Sequence, residues 1–421
     1  PYSPPHIGHA MRGVIFDVLK RYLLYRGYKV RHIENFTDID DKMIENAARL
    51  NITTKELAQK NIDTYLSEMD SLNISRADLY PKATEEIPYI IKIIQRLIKT
   101  NFAYESNGDV YFRVSKFSTY GKLSHRNISE LLAGARIDPS PYKEDDMDFA
   151  LWKSKKPNEP SWQSPWGEGR PGWHIECSAM SLKYLGDSIE IHGGGQDLVF
   201  PHHENEIAQS EAFTGVIPFS RFWLHNGLLL RGEEKMSKSL GNLVSIRDAL
   251  KNYSPDAIRA SVLKSHYRGP GYYSDESLAE NERSLTRLRQ ALLVAPNVGE
   301  STTLDADSYR DRFISAMDDD LNSPQALATL FDLARDINRS SDEGRDVRGA
   351  QLLLRELGAQ VFGFTFIDHQ GKVSDDQSAR IQELVDLRTG LRNKKKFVEA
   401  DVIRDELSAM GVLLTDSANG T

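Results

Sequence analysis

The chain has 421 residues, of which 40% are hydrophobic and 27% are charged, with a formal net charge of −8. This is the composition of a globular protein of two to four domains, and no apolar run approaches the ~18 residues of a membrane span. The single cysteine excludes an intrachain disulfide framework and favours a cytoplasmic protein. The negative charge does not exclude nucleic-acid binding, because such binding needs only a local basic face.

The first chemical motif is the sequence HIGH at residues 6–9. It precedes a stretch with helical apolar spacing at Phe16, Leu19 and Leu23. His6 and His9 therefore stand at a glycine-bearing turn before a helix N-terminus, which is a ready site for an anion. Two imidazoles there could hydrogen-bond phosphates, although a four-residue pattern alone is weak evidence.

The beginning of the chain is unusual, because it has no initiator methionine and three of its first five residues are prolines. A strand is expected before a turn of this kind, and prolines cannot fill a central strand. We therefore expect the native protein to continue upstream.

Val30 to Phe36 predicts a short buried strand, with Thr37 or Asp38 as the cap of the helix that follows. Alternation of strand and helix predicts an α/β fold with a parallel sheet. The nearby carboxylates Asp38, Asp40 and Asp41 could form a metal site. Roles in helix capping are the preferred interpretation.

Residues 53–102 are helical in pattern, and the character of the chain changes after them. The sequence GDVYFRV alternates as a strand does, and residues 134–171 are rich in proline, tryptophan and charge. The run WKSKKPNEPSWQSPWGEGRPG is interpreted as an insertion into the main fold. Its tryptophans, Trp152, Trp162 and Trp166, are interpreted as packing anchors rather than as contacts to nucleic acid.

Residues 172–206 contain the only cysteine, Cys177, and a cluster of histidines. Pro201 predicts the first residue of a helix, on which His202 and Glu206 share one face. Thiol, imidazole and carboxylate are the usual ligand types of zinc. The alternative is that Cys177 is a buried small hydrophobe and His202 an ordinary core histidine.

Two further features of this stretch favour a binding site. The glycines at 193–195 let the backbone approach a ligand closely. Trp173 and His174 stand just before the Cys177 segment, where they could form the wall of a small pocket.

Further along, the sequence RGEEKMSKSLGN carries Lys235 and Lys238 between two glycines. A mobile loop with two cations suits a lid that closes over phosphates and stabilises a transition state. A solvated surface turn is the alternative.

From about residue 276 the pattern is helical, with three amphipathic helices that predict a bundle. The third is expected to be capped by Ser323, with Pro324 at its first position. Residues 379–414 predict one more helical pair. The pair carries a basic run that is either a solvated face or a set of phosphate contacts: Arg388, Arg392, Lys394, Lys395 and Lys396.

Taken together, these motifs resemble the cysteinyl-tRNA synthetases, a family of class I aminoacyl-tRNA synthetases. The segments that carry the resemblance are HIGH at 6–9, FTDIDDK at 36–42, GWHIECSAM at 172–180, HGGGQDLVFPHHENEIAQS at 192–210 and KMSKSLGN at 235–242. They occur in the family's order over nearly the whole chain. The resemblance implies ATP-dependent ligation of L-cysteine to tRNA(Cys) through a cysteinyl-adenylate, by a monomer that takes ATP with magnesium.

The resemblance also implies an α/β fold: a class I Rossmann-like parallel sheet with an inserted connective domain, then an α-helical bundle and a small C-terminal domain. The implied domains are a catalytic domain at 1–82 plus 167–197 without its first strand, a connective insertion at 83–166, a stem-contact region with the KMSKS loop at 198–275, a tRNA-binding helical bundle at 276–367 and an anticodon-binding region at 379–421.

The family's functional residues can be carried over to matching positions of this chain. The implied catalytic residues are His6, His9, Lys235 and Lys238. The implied ATP-binding residues are His6, Gly8, His9, Gly193, Gly194, Gly195, Asp197 and Lys238. Those implied for the amino-acid pocket are Thr37, Trp173 and His174, and those for one zinc ion are Cys177, His202 and Glu206.

The family's fourth zinc ligand is a cysteine in a Cys-Gly-x-Thr segment ahead of HIGH, which this chain does not contain. We therefore expect an incomplete zinc site and a chain that is inactive or nearly so. Zinc prefers a soft thiolate to a hydroxyl, so direct coordination of the substrate sulfur would separate cysteine from serine.

Three other functions remain open at this stage. One is a cysteine ligase of the mycothiol pathway, which would transfer cysteine to a small amine rather than to tRNA. Another is a non-catalytic tRNA-binding derivative of a synthetase. A third is a plain nucleotidyltransferase, which would need neither the zinc ligands nor the C-terminal helices.

Overall fold

The structure is a computed structural model that describes residues 3–125, 141–231, 234–235, 243–295, 303–367, 375–394 and 396–409. The chain divides into two compact units, residues 1–367 and 368–421, and each is described by itself. Among the described helices, none has the length and apolar character needed to cross a membrane.

The first unit combines helices with three small sheets. Its α-helices are α1 (Ile7–Tyr25), α2 (Asp41–Leu50), α3 (Thr54–Ser71), α4 (Ile87–Lys99), α5 (Trp173–Leu185), α6 (Glu204–Thr214), α7 (Ile246–Asn252), α8 (Pro255–Leu263), α9 (Asp275–Leu293), α10 (Asp307–Asp318), α11 (Ser323–Asp342) and α12 (Arg348–Glu356). Its strands are β1 (Ala103–Ser106), β2 (Asp109–Phe112), β3 (Phe149–Ser154), β4 (Gly169–Pro171), β5 (Ile189–Gly195), β6 (Ser220–Asn226), β7 (Leu229–Arg231), β8 (Glu234–Lys235) and β9 (Gly271–Tyr272).

Helix α1 confirms the helix predicted after the HIGH motif. His6 is its N-cap residue: its Nδ1 atom accepts a hydrogen bond from Gly8 N at 3.1 Å. In return, His6 N donates to His9 Nδ1 at 3.1 Å, so the two imidazoles close a reciprocal cap. The cap holds both rings at the helix N-terminus, with their centroids 4.1 Å apart.

The buried strand predicted from Val30 to Phe36 is wrong. In the described part of the chain this segment forms two isolated parallel bridges, Ile33 to Leu79 and Phe36 to Lys82. Phe36 is buried, but the residues before it are half-buried or exposed. Polar side chains interrupt the segment, so it passes along the edge of the core rather than through it.

The cap of α2 also differs from the prediction. Asp40 is the N-cap residue, and its side chain accepts a hydrogen bond from Met43 N. Asp38 instead accepts hydrogen bonds from the backbone N and the hydroxyl of Thr84, at 3.0 and 2.6 Å. Asp41 pairs with Lys153 and Arg170. These contacts support structural roles for the acidic cluster. The residue that caps α2, however, is Asp40 and not Thr37 or Asp38.

Strands β1 to β4 form an antiparallel sheet in sequential order, with α4 packed on it. The strand predicted in GDVYFRV is confirmed as β2. Trp152 is fully buried in this core, and Trp162 and Trp166 pack against it. The tryptophans of this region are therefore packing anchors, as interpreted.

Strands β5 and β6 pair in parallel, in register from Ile189 opposite Ser220 to Gly195 opposite Asn226. Helix α6 follows β5, and it begins at Glu204 rather than at Pro201 as predicted. Phe200 has extended dihedral angles, φ −136° and ψ 133°. The residue before a proline avoids the helical region, so regular helix starts only after the wide turn from Val199 to His203.

Helices α9 to α12 pack with α1 and α8 around one hydrophobic core, which confirms the predicted bundle. Two details differ from the prediction. The N-cap of α11 is Asn322, whose side chain accepts from Gln325 N at 3.2 Å, rather than Ser323. Helix α12 was not predicted.

The second unit contains the predicted helical pair, α13 (Asp375–Asn393) and α14 (Phe397–Ala409). Arg388 is only 2% exposed, so it fits neither of the two interpretations of the basic run, a solvated face or a phosphate contact. Lys394 and Lys396 are exposed, and Lys396 pairs with Glu399 at 3.0 Å. Lys395 lies outside the described residues.

Candidate active site

A cleft of about 580 Å³ opens between the N-terminus of α1, the end of β5 and the segments around residues 35 and 227. The predicted site residues that line it are His6, Gly8, His9, Thr37, Trp173, Cys177, Gly193, Gly194, Gly195, Asp197 and His202. Glu206 and His174 lie behind this lining, against His202. The side chain of Lys235 and the whole of Lys238 lie outside the described residues.

One end of the cleft is formed by the N-terminus of α1, where the helix dipole favours an anion. The first backbone amides are already bonded within the protein: Ile7 N donates to Val244 O at 3.0 Å, Gly8 N to His6 Nδ1 at 3.1 Å and His9 N to His6 O at 2.8 Å. The helix dipole and the two imidazoles are therefore what this end offers to a ligand. Burial, followed by the charges of His6 and Arg12, holds the pKa of His9 well below its usual value. His9 is therefore a neutral imidazole near neutral pH, and it can act through hydrogen bonding without carrying a charge.

The glycines at the end of β5 keep the cleft open beside α1. A Cβ atom on Gly193 would lie 2.3 Å from the ring of Phe16, and one on Gly195 would lie 2.5 Å from Asp197 Oδ1. A side chain at either position would displace one of these groups. The absence of side chains there leaves backbone exposed to a ligand next to the Asp197 carboxylate.

The opposite wall brings Cys177, His202 and Glu206 together, as predicted from the sequence. Their ligand atoms all lie within 4.8 Å of one another. Glu206 is fully buried, and neither of its oxygens accepts a hydrogen bond from a described residue. His192 Nε2 and His202 Nε2 lie 3.2 and 3.3 Å from Oε2, but neither makes a hydrogen bond to it. A buried carboxylate without hydrogen bonds is costly, and zinc accepts sulfur, nitrogen and oxygen ligands. The donor set therefore fits a zinc ion.

The protonation states of these groups follow from burial. Desolvation, together with the nearby carboxylates of Glu206 and Glu176, raises the pKa of Cys177 well above its usual value. Asn35 Nδ2 donates to Cys177 Sγ at 3.4 Å. Burial also lowers the pKa of His202 to about 3, so its imidazole is neutral and has a free lone pair to offer.

Glu206 is shared with a second group that the sequence did not single out as ligands. His192, His203 and Glu206 also place ligand atoms within 4.8 Å of one another. His192 Nε2 lies 3.2 Å from Glu206 Oε2, and His203 Nδ1 lies 2.8 Å from His225 Nε2. His192 and His203 also line the cleft, so the histidine cluster extends beyond the candidate metal residues.

Trp173 and His174 lie where a pocket wall was expected. Trp173 is 44% exposed, and its ring centroid lies 4.3 Å from that of His202. His174 Nδ1 lies 3.0 Å from His202 Nδ1, and burial lowers the pKa of His174 to about 3. The pair therefore fixes the orientation of His202 and closes one side of the cleft.

Three residues that line the cleft were missed at the sequence level, namely Arg12, Asn35 and Tyr65. Glu34, which binds Arg12 and Tyr65 from outside the lining, was missed as well. Helical spacing could have found Arg12, because it stands three residues after His9 on α1. Asn35 and Glu34 were assigned to a strand. No sequence signal connects Tyr65, on α3, with this cleft.

Comparison with protein families gives two matches. Residues 1–283 match the catalytic domain of "tRNA synthetases class I (C)". Residues 312–366 match the DALR domain. Together the two matches span most of the first unit.

Individual relatives agree with these matches. The chain is 55% identical to a cysteine–tRNA ligase of Dehalococcoides mccartyi and 48% identical to one of Caldicellulosiruptor saccharolyticus, covering all of this chain and 92% of each relative. Among solved structures, a methionyl-tRNA synthetase of Mycobacterium tuberculosis bound by methionyl-adenylate superposes with a TM-score of 0.64. It is 19% identical and covers 86% of both chains, a likeness that concerns the fold alone.

Proposed function

This chain belongs to the cysteine–tRNA ligase family of class I tRNA synthetases, and we propose that the cleft lined by His6, Cys177 and Gly193 is the site of its reaction. The family and the α/β fold class expected from the motifs are confirmed. The enzyme ligates L-cysteine to tRNA at the expense of ATP. One observation supports the site above all: the anion-binding turn, the glycine strand end and two of the candidate metal residues, Cys177 and His202, line a single cleft.

The reaction has two steps. A carboxylate oxygen of cysteine attacks the α-phosphorus of ATP, and the bond to pyrophosphate breaks to give cysteinyl-adenylate. A ribose hydroxyl of the terminal adenosine of tRNA then attacks the carbonyl carbon, and AMP leaves. Both steps develop negative charge on oxygen, so preorganised N–H donors are the main requirement.

The nucleotide is assigned to the α1 end of the cleft. His6, Gly8 and His9 offer the helix N-terminus and two imidazoles to the phosphates of ATP, which enters with magnesium. Gly193 to Gly195 and Asp197 hold the adenosine, because the bare strand end admits a flat group beside a carboxylate. By the family resemblance, Lys238 stabilises the transition state and Lys235 assists.

Cysteine is assigned to the pocket formed by Thr37, Trp173 and His174. Cys177, His202 and Glu206 would hold one zinc ion beside that pocket, and the orphaned oxygens of Glu206 support this assignment. Bound there, zinc would favour a thiolate over the hydroxyl of serine. The chain's own contribution is to keep His202 neutral and oriented through His174, and to exclude water by burying Glu206.

The tRNA is assigned to the helical parts of the chain. Residues 276–367 contain the DALR match and are proposed as the tRNA-binding bundle, with 198–275 as the stem-contact region. Residues 379–421 are proposed to read the anticodon. In that region the exposed Lys394 and Lys396 remain candidates for phosphate contacts, whereas the buried Arg388 does not.

The test is cysteine-dependent exchange of pyrophosphate into ATP, followed by charging of tRNA(Cys) on the same sample. Exchange with cysteine but not with serine, and label transfer to tRNA, would support the proposal. Exchange without transfer to tRNA, but with transfer to an amino-sugar, would indicate a small-molecule cysteine ligase. Binding of tRNA without any exchange would indicate a non-catalytic derivative.

A further inference from the structure

Arg12 is the only lysine or arginine among the described residues that line the cleft. It lies on α1, four residues after Gly8 and three after His9, and so on the face that carries the anion-binding turn. Its side chain is 39% exposed. Among the described residues, the cleft therefore has one permanently charged cation, which lies about one helical turn after His9. The ligand proposed for this cleft, ATP, is a polyanion.

The guanidinium of Arg12 is held in place by residues outside α1. Arg12 Nη2 donates to Glu34 Oε1 at 3.2 Å. The same oxygen accepts a hydrogen bond of 2.6 Å from the hydroxyl of Tyr65, a buried residue of α3. Because Glu34 is itself fixed by Tyr65, the position of the guanidinium is preorganised, which lowers the entropic cost of binding an anion.

This support leaves most of the binding capacity of the group unused. A guanidinium carries five N–H donors in a planar fork that suits phosphate oxygens. Among the described residues, Glu34 accepts a hydrogen bond from one of them, and the Tyr65 hydroxyl is close enough to engage a second. The remaining donors are available to a ligand, because Arg12 lines the cleft.

The surroundings of Arg12 indicate which part of a nucleotide it meets. His6 and His9, which were assigned to the phosphates, precede Arg12 by about one to two turns of α1. Asp197, which was assigned to the adenosine, lines the same cleft and is close enough to interact electrostatically with Arg12. In ATP, the group between the adenosine and the rest of the triphosphate is the α-phosphoryl group.

We propose that Arg12 binds the α-phosphoryl oxygens of ATP and of the adenylate, with Glu34 and Tyr65 as the residues that position it. The proposal rests on the function proposed above. The α-phosphorus is the atom attacked in the first step, so a cation beside it stabilises the negative charge that develops on its oxygens. Phosphate chemistry is also offered by the 3′ end of tRNA, which must reach the same place in the second step.

The experiment compares Arg12→Met and Arg12→Lys with a matched control, Arg26→Met. Arg26 stands at the other end of α1, and like Arg12 it contacts one carboxylate, Asp318, and one tyrosine, Tyr22. It does not line the cleft. KM and kcat are measured for ATP and cysteine in pyrophosphate exchange, and for tRNA in charging.

The expected result is that Arg12→Met raises KM for ATP or lowers kcat of exchange by about tenfold or more, the usual effect of losing one charged hydrogen bond. KM for cysteine stays within about twofold. Arg12→Lys recovers part of the loss, and Arg26→Met behaves as the parent in exchange. Partial rescue by lysine is the readout that a merely structural ion pair would not predict.

Three outcomes would overturn the proposal. Exchange kinetics of Arg12→Met equal to those of Arg26→Met would return Arg12 to a structural role. An effect confined to KM for tRNA would assign the guanidinium to the tRNA backbone instead. An effect confined to KM for cysteine would assign it to the amino-acid carboxylate. Cysteine-dependent exchange in the parent and in Arg26→Met reports on the proposed function separately, so failure of one idea is distinguishable from failure of the other.

Discussion

Arg259 Nη2 donates to Asp17 Oδ2 at 2.6 Å, and both side chains are fully buried. The two residues are 242 positions apart in the chain. Asp17 lies in the middle of α1, the helix that carries the HIGH motif. Arg259 lies on α8, and its other donors reach the carbonyls of Phe362, Leu72 and Asn73. The ion pair therefore ties α1 to α8, and the bond from Arg259 to the Phe362 carbonyl extends the connection to the end of the helical bundle.

We predict that Asp17→Asn destabilises the first unit by about 3–5 kcal/mol, because it leaves the buried Arg259 charge without a counter-charge. The measurement is urea unfolding followed by tryptophan fluorescence. The matched control is Asp70→Asn, which removes an exposed carboxylate from Arg76 and should cost at most about 1 kcal/mol. Equal losses from the two variants would contradict the importance of the buried pair.

The same pair predicts a dependence on pH. Burial alone would raise the pKa of Asp17, but the charges of Arg259 and Arg21 outweigh it and bring the pKa below its ordinary value of 3.8. The stabilisation is therefore fully present above 3.8 and is lost as the pH falls through the folded-state pKa. The difference in urea midpoint between parent and Asp17→Asn should persist at about pH 6 and shrink in stronger acid. A gap that widened on acidification would contradict this sign.

Zinc affinity distinguishes the two overlapping groups around Glu206. If Cys177, His202 and Glu206 are the ligands, Cys177→Ala and Glu206→Gln should each weaken zinc binding by more than about tenfold, and by more than His192→Asn does. Competition with a coloured chelator measures the affinities. A larger loss from His192→Asn than from Cys177→Ala would favour the group of His192, His203 and Glu206 instead.

Gly193→Ala tests the close approach of β5 to α1. The added Cβ would lie 2.3 Å from the Phe16 ring, which must shift, at a cost of about 1–3 kcal/mol. We expect a lower Tm and a higher KM for ATP, and partial recovery when Phe16→Leu is added. Gly349→Ala on α12 is the control, because its Cβ would meet nothing within 4 Å. Loss of stability in the control but not in Gly193→Ala would refute the packing argument.

Lys238→Ala tests the role taken from the family resemblance. It should lower kcat of pyrophosphate exchange by about 100-fold or more, with little change in KM for cysteine, because the lysine acts mainly in the transition state. Lys251→Ala, which removes an exposed lysine paired with Asp248, is the control for lost charge. If pyrophosphate exchange is unchanged in Lys238→Ala, the role assigned to Lys238 in the transition state is wrong.

Local patterns in the sequence were sufficient for much of the fold. Apolar spacing and the HIGH turn predicted α1, and the alternation in GDVYFRV predicted β2. They failed where a residue's neighbour along the chain decided the backbone, as at Phe200 before Pro201. They also failed where neighbours in space decided it, as in the segment from Val30 to Phe36, whose bridges depend on Leu79 and Lys82.

The candidate site shows the same division. Motif order alone identified the family and selected Cys177, His202 and Glu206, because ligand type and spacing are properties of the chain. Neither oxygen of Glu206 accepts a hydrogen bond from a described residue. The motif did not show this, because it depends on which residues pack around α6.

The sequence by itself determined α1, the bundle helices α9 to α11 and the chemical types at the cleft, because each follows from side chains a few positions apart. The order of the motifs along the chain determined the family. Only the tertiary structure decided that Arg388 is buried, that Arg12 meets Glu34 and that Asp17 meets Arg259. Periodicity shows which face of a helix is apolar, but not which distant segment covers it. Contacts across 22 or 242 residues are selected by the packing of the whole unit.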